Sequence, residues 1–143
     1  MIDIVKKIPR DKAFYIVGFS DGEASFNTSF RIRDDYLLGW KITPVFNISQ
    51  KQRDILAVIK RYLNCGTIRY RNDDCWVYQV ENRTALTQII IPFFEKYPLQ
   101  SSKLANYQDF HSVALMMKEK KHLTTEGLTE IINIKSGMNR GRV

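Results

Sequence analysis

Residues 13–19 (Ala13, Phe14, Tyr15, Ile16, Val17, Gly18, Phe19) form an uninterrupted apolar run. As a helix they leave no solvated face, so the helix must be covered on more than one side. Asp11 is its predicted N-cap, and the basic lead-in 1–10, ending in Pro9, reads as an arm or loose cap. From 25 to 33 the period switches to two: Phe26, Thr28, Phe30 and Ile32 on one face, Ser25, Asn27, Ser29, Arg31 and Arg33 on the other. A second strand is predicted over 40–49, where Pro44 argues for an edge position. Ser49-Gln50-Lys51-Gln52 has capping-box spacing ahead of a helix with Ile55, Leu56, Ile59, Tyr62 and Leu63 apolar, ended by Asn64-Cys65-Gly66. Thr67, Arg69 and Arg71 alternate with Ile68 and Tyr70 in a third strand, and Asn72-Asp73-Asp74 turns into a fourth over 75–81, whose buried face the pattern leaves open. A helix behind Asn82 stops before Pro98; another starts at Ser101 or Ser102, and a last covers 125–135. The fold class is α+β: a helix-strand-strand-helix-strand-strand-helix core with a four-stranded antiparallel sheet, one face packed on helices and one open, then C-terminal helices.

At 143 residues the chain is long enough for one domain with a real core. Its net charge of +7 favours an anionic partner, nucleic acid before membrane, because no basic amphipathic helix stands beside an apolar stripe. Cys65 and Cys75 fall short of a disulfide framework or zinc spacing and read as free thiols in a reducing compartment. His111 and His122 are isolated, the charge run 118–121 reads as a solvated helix end, and 137–142 reads as a basic, flexible tail within reach of phosphates. No phosphate-cradling glycine loop, nucleophile elbow or His-Glu-x-x-His occurs.

One chemical lead survives. Asp21 and Glu23 fall where the first long helix ends, and a helix C-terminus disfavours each carboxylate by up to about 1 kcal/mol. A turn cap and a solvated acid would account for them; a divalent metal held by carboxylate and carbonyl oxygens would offset them, with Gly22 letting the backbone turn. The polar strand faces carry neutral hydrogen-bonding groups and arginines, a set suited to a major groove, where arginine reads guanine and asparagine reads adenine.

The stretch Ile16-Val17-Gly18-Phe19-Ser20-Asp21-Gly22-Glu23-Ala24, continued by Ser25-Phe26, resembles the signature helix of the LAGLIDADG homing endonucleases. Ala24 stands where many members have glycine. Pro92-Phe93-Phe94-Glu95-Lys96-Tyr97-Pro98-Leu99 and Lys103 also resemble the family, so the resemblance covers residues 11–110. It implies a homing endonuclease, in which one copy of the signature means a homodimer with paired signature helices, here through Phe14, Val17, Gly18 and Asp21. Such a dimer binds a long pseudo-palindromic double-stranded DNA and hydrolyses both strands to short 3′ overhangs.

The resemblance assigns metal binding to Glu23 with the Gly22 carbonyl, water organisation to Gln50, and charge stabilisation to Lys103, with Lys96 possible by alignment shift. It implies Mg²⁺, with Mn²⁺ able to substitute and Ca²⁺ binding without cleavage. A basic residue usual one turn into the second helix is replaced by Asp54, for which Arg53 or Lys51 could compensate. Asn27, Ser29, Arg31, Arg33, Lys41, Thr43, Asn47, Thr67, Arg69 and Arg71 make up the expected DNA-reading array. No membrane or small-molecule substrate is implied. An origin in a mobile intron or intein follows, in an organelle (chloroplast or mitochondrion) or a microbial cytoplasm, not secreted. The alternatives are a catalytically silent DNA-binding regulator of this type and an RNA-binding intron maturase.

Overall fold

A computed structural model describes residues 3–137. The elements are α1 (Ile4–Lys7), α2 (Arg10–Glu23), β1 (Ala24–Ile32), β2 (Trp40–Gln50), α3 (Arg53–Leu63), β3 (Thr67–Arg71), β4 (Cys75–Val80), α4 (Arg83–Ala85), a π-helical segment (Leu86–Ile90), α5 (Ile91–Lys96), α6 (Lys103–Lys118), a 3₁₀ turn (Lys121–Leu123) and α7 (Thr125–Gly137). The strands form one antiparallel sheet in the order β1-β2-β4-β3. This is the predicted α+β arrangement. The chain divides into two compact units, one of Met1–Ser25 with Phe46–Ser101 and one of Phe26–Val45 with Ser102–Val143.

In the first unit, α3 buries Leu56, Ile59 and Leu63, the i, i+3, i+7 stripe of an amphipathic helix. Ile16, Phe46, Ile48, Tyr78, Phe93 and Phe94 of the same unit are buried too, each at most 1% exposed. The register Phe46↔Val80, Ile48↔Tyr78 and Gln50↔Trp76 answers the question left by the fourth strand: Trp76, Tyr78 and Val80 share the apolar face of β2. Phe46 packs edge-on against Tyr78, with ring centroids 6.2 Å apart.

Several local expectations are overturned here. The lead-in is no loose cap: Asp3 caps the single turn of α1 by accepting from the Lys6 N–H at 3.3 Å, and Val5 and Ile8 are buried. α2 has Pro9, not Asp11, at its N-cap, with Asp11 in the first turn facing the positive end of the helix dipole. The Ser49 capping box does not form, because Ser49 stays in β2 opposite Val77 and its hydroxyl accepts from Arg71; α3 opens at Gln52 without a side-chain cap. β2 is an interior strand rather than an edge. Pro44 is tolerated there because the β4 ladder ends at Phe46↔Val80, leaving no β4 carbonyl waiting for a donor at position 44. Pro92 explains the π segment: it cannot donate to the carbonyl four residues back and would clash with it, and the bond from the Ile91 N–H to the Leu86 carbonyl widens the turn just before it.

In the second unit, β1 follows the predicted alternation with Phe26 and Thr28 buried, but Ile32 is 73% exposed as the strand runs on beyond its core. Phe26 meets Tyr107 and Phe110 of α6 edge-on, both at 5.4 Å. A second cluster joins Ile42 to Val113, Met116 and Met117 of α6 and Ile131 of α7, with Phe30, Leu128 and Ile134 packed beside it. The basic tail expected beyond Gly137 lies outside the described residues.

Asn64 in the left-handed region (φ 56°) and Gly66 (φ 88°) turn the chain from α3 into β3. A Cβ at Gly66 would come within 2.6 Å of the Tyr78 ring and 2.8 Å of the Gln79 carbonyl oxygen. Gly66→Ala is therefore expected to cost more than about 1 kcal/mol and lower the melting temperature by roughly 3 °C or more, read by thermal unfolding.

Candidate metal centre and nucleic-acid interface

α2 has two faces with different fates. Ala13, Ile16, Val17 and Ser20 are buried within the chain, while Phe14 and Tyr15 are 50% and 51% exposed. Gly18 and Gly22 lie on that outer side, where an added Cβ would meet nothing within 4 Å. At i, i+4 and i+8, Phe14, Gly18 and Gly22 line up along the axis toward Glu23. Val17, expected on the outward seam, instead packs into its own chain at 7% exposure, while Tyr15 and Gly22 are exposed.

The two acids at the end of α2 have separate environments. No basic side chain occupies its last turn. The Asp21 carboxylate accepts from the Gln100 N–H at 2.9 and 3.1 Å and the Ser101 N–H at 2.9 Å, and the Ser101 hydroxyl donates to the Asp21 carbonyl at 3.1 Å. Asp21 thus ties the end of α2 to the segment leading into α6, and these bonds occupy the carboxylate that was expected to serve at a dimer interface. Glu23 is exposed one turn-end further on. The helix hands over to β1 at Ala24 with φ −79°, a value any residue adopts, so the alanine in the glycine position carries no strain.

Gln50 ends β2 opposite Trp76 and is half-buried, on the sheet side of Ile48 rather than of Asn47. The Arg53 guanidinium stacks over the same Trp76 ring at 5.5 Å, which brings a cation to the strand end beside Asp54; Lys51 is simply exposed. Lys103 is the first residue of α6, half-buried, in the second unit. Lys96 ends α5 with its ammonium 5.6 Å from the Tyr97 ring centre.

Each unit carries part of the polar side of the sheet. In the first, Asn47 pairs with Gln79, Ser49 with Val77, Thr67 with Gln79, Arg69 with Val77 and Arg71 with Cys75. Arg71 donates two parallel bonds to Asp73, both at 2.7 Å, and a third to the Ser49 hydroxyl at 3.1 Å. In the second unit Asn27, Ser29, Arg31, Lys41 and Thr43 share the polar side by alternation. Arg33 falls just past β1, its fork likewise held by Asp35 at 3.0 and 2.9 Å and lying over the Tyr36 ring. These pairs raise both arginines and hold Asp35 and Asp73 below the ordinary carboxylate range, through the hydrogen bonds first. Lying at the surface and about half exposed, they add little stability. Arg31 and Arg69 form no ion pair among the described residues.

The register adds Ser49 and Gln79 to the array, which alternation within single strands did not single out. It also misses Lys135 of α7, whose ammonium donates to Asn27 Oδ1 at 2.8 Å. The only local hint was a lysine four residues beyond Ile131 on the apolar stripe.

Comparison with known proteins agrees with this architecture. The LAGLIDADG endonuclease family model matches residues 16–114. A probable intron-encoded endonuclease 2 of Neurospora crassa is 38% identical over 131 residues, covering 89% of this chain and 29% of that protein. The crystal structure of the homing endonuclease I-TnaI superposes with a TM-score of 0.86 at 33% identity, covering 90% of this chain and 88% of that one. I-SmaMI, bound to an uncleaved DNA target in the presence of calcium ions, gives 0.86 at 34% identity, over 90% of this chain and 45% of that one. The chain belongs to the LAGLIDADG endonuclease family. It spans less than a third of the Neurospora protein's length.

Among the described residues no three His, Cys, Asp or Glu side chains could together hold a metal. One chain offers hard oxygen donors only, Glu23 and the Gly22 carbonyl. That donor set suits Mg²⁺, which takes one or two carboxylates and completes its shell with water and substrate phosphates. Replacing Asp21 by alanine removes the acceptor for two backbone N–H groups and is expected to cost about 1–3 kcal/mol in urea unfolding. Glu23→Ala, at an exposed position, should change stability by less than about 0.5 kcal/mol.

Proposed function

We propose that this chain is a site-specific DNA endonuclease that works as a homodimer. One observation carries the reading: the half-exposed apolar stripe of α2 runs directly to the exposed carboxylate of Glu23. A second copy of α2 laid along Phe14, Tyr15, Gly18 and Gly22 would cover that stripe, with the glycines allowing close approach. The same contact brings two Glu23 side chains together, each to serve one strand across the minor groove.

A divalent ion, when bound, would supply charge neutralisation and an activated water for in-line displacement at phosphorus. Glu23 and the Gly22 carbonyl would hold it, Gln50 would orient the attacking water, and Lys103 or Lys96 would stabilise charge at the scissile phosphate. Arg53, fixed on Trp76, supplies the cation that Asp54 does not. Mg²⁺ is the expected ion, Mn²⁺ substituting and Ca²⁺ supporting binding without cleavage; products carry short 3′ overhangs. The calcium-bearing, uncleaved DNA complex of I-SmaMI supports this reading. The polar sheet side reads the duplex through Asn27, Ser29, Arg31, Lys41, Thr43, Asn47, Thr67, Arg69 and Arg71, with Arg33 at its margin. A strand of this length spans about nine base pairs, so two subunits read a pseudo-palindrome of about 18–20. An intron-borne gene is supported by the Neurospora relative, itself named as intron-encoded. No helix among the described residues is long and apolar enough to cross a membrane.

With a randomised double-stranded library and Mg²⁺, the wild type should cut at a long near-palindrome. Glu23→Gln should bind the same site without cutting. Selective binding without cutting by either protein would replace the nuclease with a DNA-binding regulator, and cutting by Glu23→Gln would remove Glu23 from the site. Asp73→Asn should release the Arg71 fork and remove a negative charge beside the phosphates. It is expected to tighten binding to all sequences and steepen the slope of log affinity against log salt by about one, measured by fluorescence anisotropy across a salt series.

A further inference from the structure

Asn27 sits on the polar side of β1, an edge strand of the sheet, where a side chain from a neighbouring helix can reach it. Its Oδ1 accepts from two groups: the Thr28 N–H at 2.9 Å and the Lys135 ammonium at 2.8 Å. Neither partner has a lone pair to offer, so the amide orientation is fixed, with oxygen toward them and nitrogen away. The lysine is delivered by packing. Leu128, Ile131 and Ile134 of α7 lie in the apolar cluster with Ile42 and Phe30, and Lys135, the next residue along, is half-buried beside Asn27. That burial pushes its ammonium pKa down.

We infer that Lys135 is a positioning residue that makes Asn27 a reader of keto bases, guanine or thymine, and not of adenine. This deepens the DNA-reading function proposed above and rests on it. Reading adenine takes both ends of an asparagine amide, the oxygen accepting from N6 and the nitrogen donating to N7. Both lone pairs of Asn27 Oδ1 are already used, which leaves only N–H donors. Donors suit guanine O6 and N7 or thymine O4; at adenine they find only N7, beside an amino group that opposes them, and at cytosine only the opposing amino group. The adjacent ammonium, a donor with no acceptor, reinforces the same choice.

The test is base preference, measured by selection from a randomised duplex library with Ca²⁺ in place of Mg²⁺. Asn27→Ala locates the position by losing preference there. At that position the wild type should favour guanine or thymine on the contacted strand by roughly tenfold, within the range of one good base contact. Lys135→Met frees one lone pair of Oδ1 and should admit adenine, whereas Lys135→Arg, which keeps a donor, should retain the wild-type profile. Asn27→Asp, an acceptor beside Lys135, should turn the preference toward cytosine or adenine. A wild-type preference for adenine there, or a Lys135→Met profile identical to wild type in a protein that melts at the same temperature, would overturn the inference. A uniformly weaker but unchanged profile in Lys135→Met would make the lysine a phosphate contact or a structural tie and overturn it equally. If the wild type selects no sequence at all, the DNA-reading function itself fails; selection without any Asn27-dependent position rejects only the role given to this pair.

Discussion

The carbonyl end of α2 sets the terms for everything around it. Two carboxylates sit at the negative pole of a helix that offers no cation in its last turn, and the chain treats them oppositely. Asp21 accepts from the backbone N–H groups of Gln100 and Ser101, which ties the end of α2 to that segment. Glu23 is left exposed. Two carboxylates two residues apart thus become a structural clamp and an exposed acid through surroundings alone, as when neighbouring carboxylates are split into different roles by environment. Because the Asp21 bonds hold the helix end, Glu23 projects from a backbone that is tied down two residues before it, which the metal-binding role proposed for it above requires.

How much of this was legible from sequence depended on the range over which each residue's fate is decided. Period-two alternation along β1 and the Leu56, Ile59, Leu63 stripe are local consequences of burial on one face, and they gave the α+β order. The motif gave Glu23 its candidacy. Ser49 had the spacing of a cap, but a serine hydroxyl bonds whichever partner tertiary structure brings, here Arg71 across the sheet. Pro44 followed the edge-strand rule only in a local sense, since that rule concerns the carbonyl opposite the proline and β4 stops short of it. Val17 faced inward, but a run that is apolar on every side shows no period from which to tell its inner residues from its outer ones. Asn27 and Lys135 stand 108 positions apart in sequence, and no pattern in either segment connects them.

The same distinction separates what a side chain can read from what it is set to read. Taken singly, arginine and asparagine on a strand advertise guanine and adenine. In place, the forks of Arg33 and Arg71 are already closed on Asp35 and Asp73, and the Asn27 oxygen is spent on Lys135 and Thr28. A base or phosphate must therefore displace an existing partner to use either arginine. An exposed ion pair is worth little, so that exchange is cheap. It holds the guanidinium in one rotamer, out of the many a free arginine samples, while subtracting little from the final contact.

Holding a donor still has a different consequence for the asparagine. Its amide can turn over at little intrinsic cost, and a free asparagine presents whichever end a base requires. Only an outside group can make it commit, and an ammonium does so more firmly than a neutral donor because the bond is charge-assisted. The commitment in turn needs α7 seated on its Leu128, Ile131 and Ile134 stripe. Packing in a small apolar cluster thereby bears on the hydrogen-bonding polarity of a sheet residue, through one lysine.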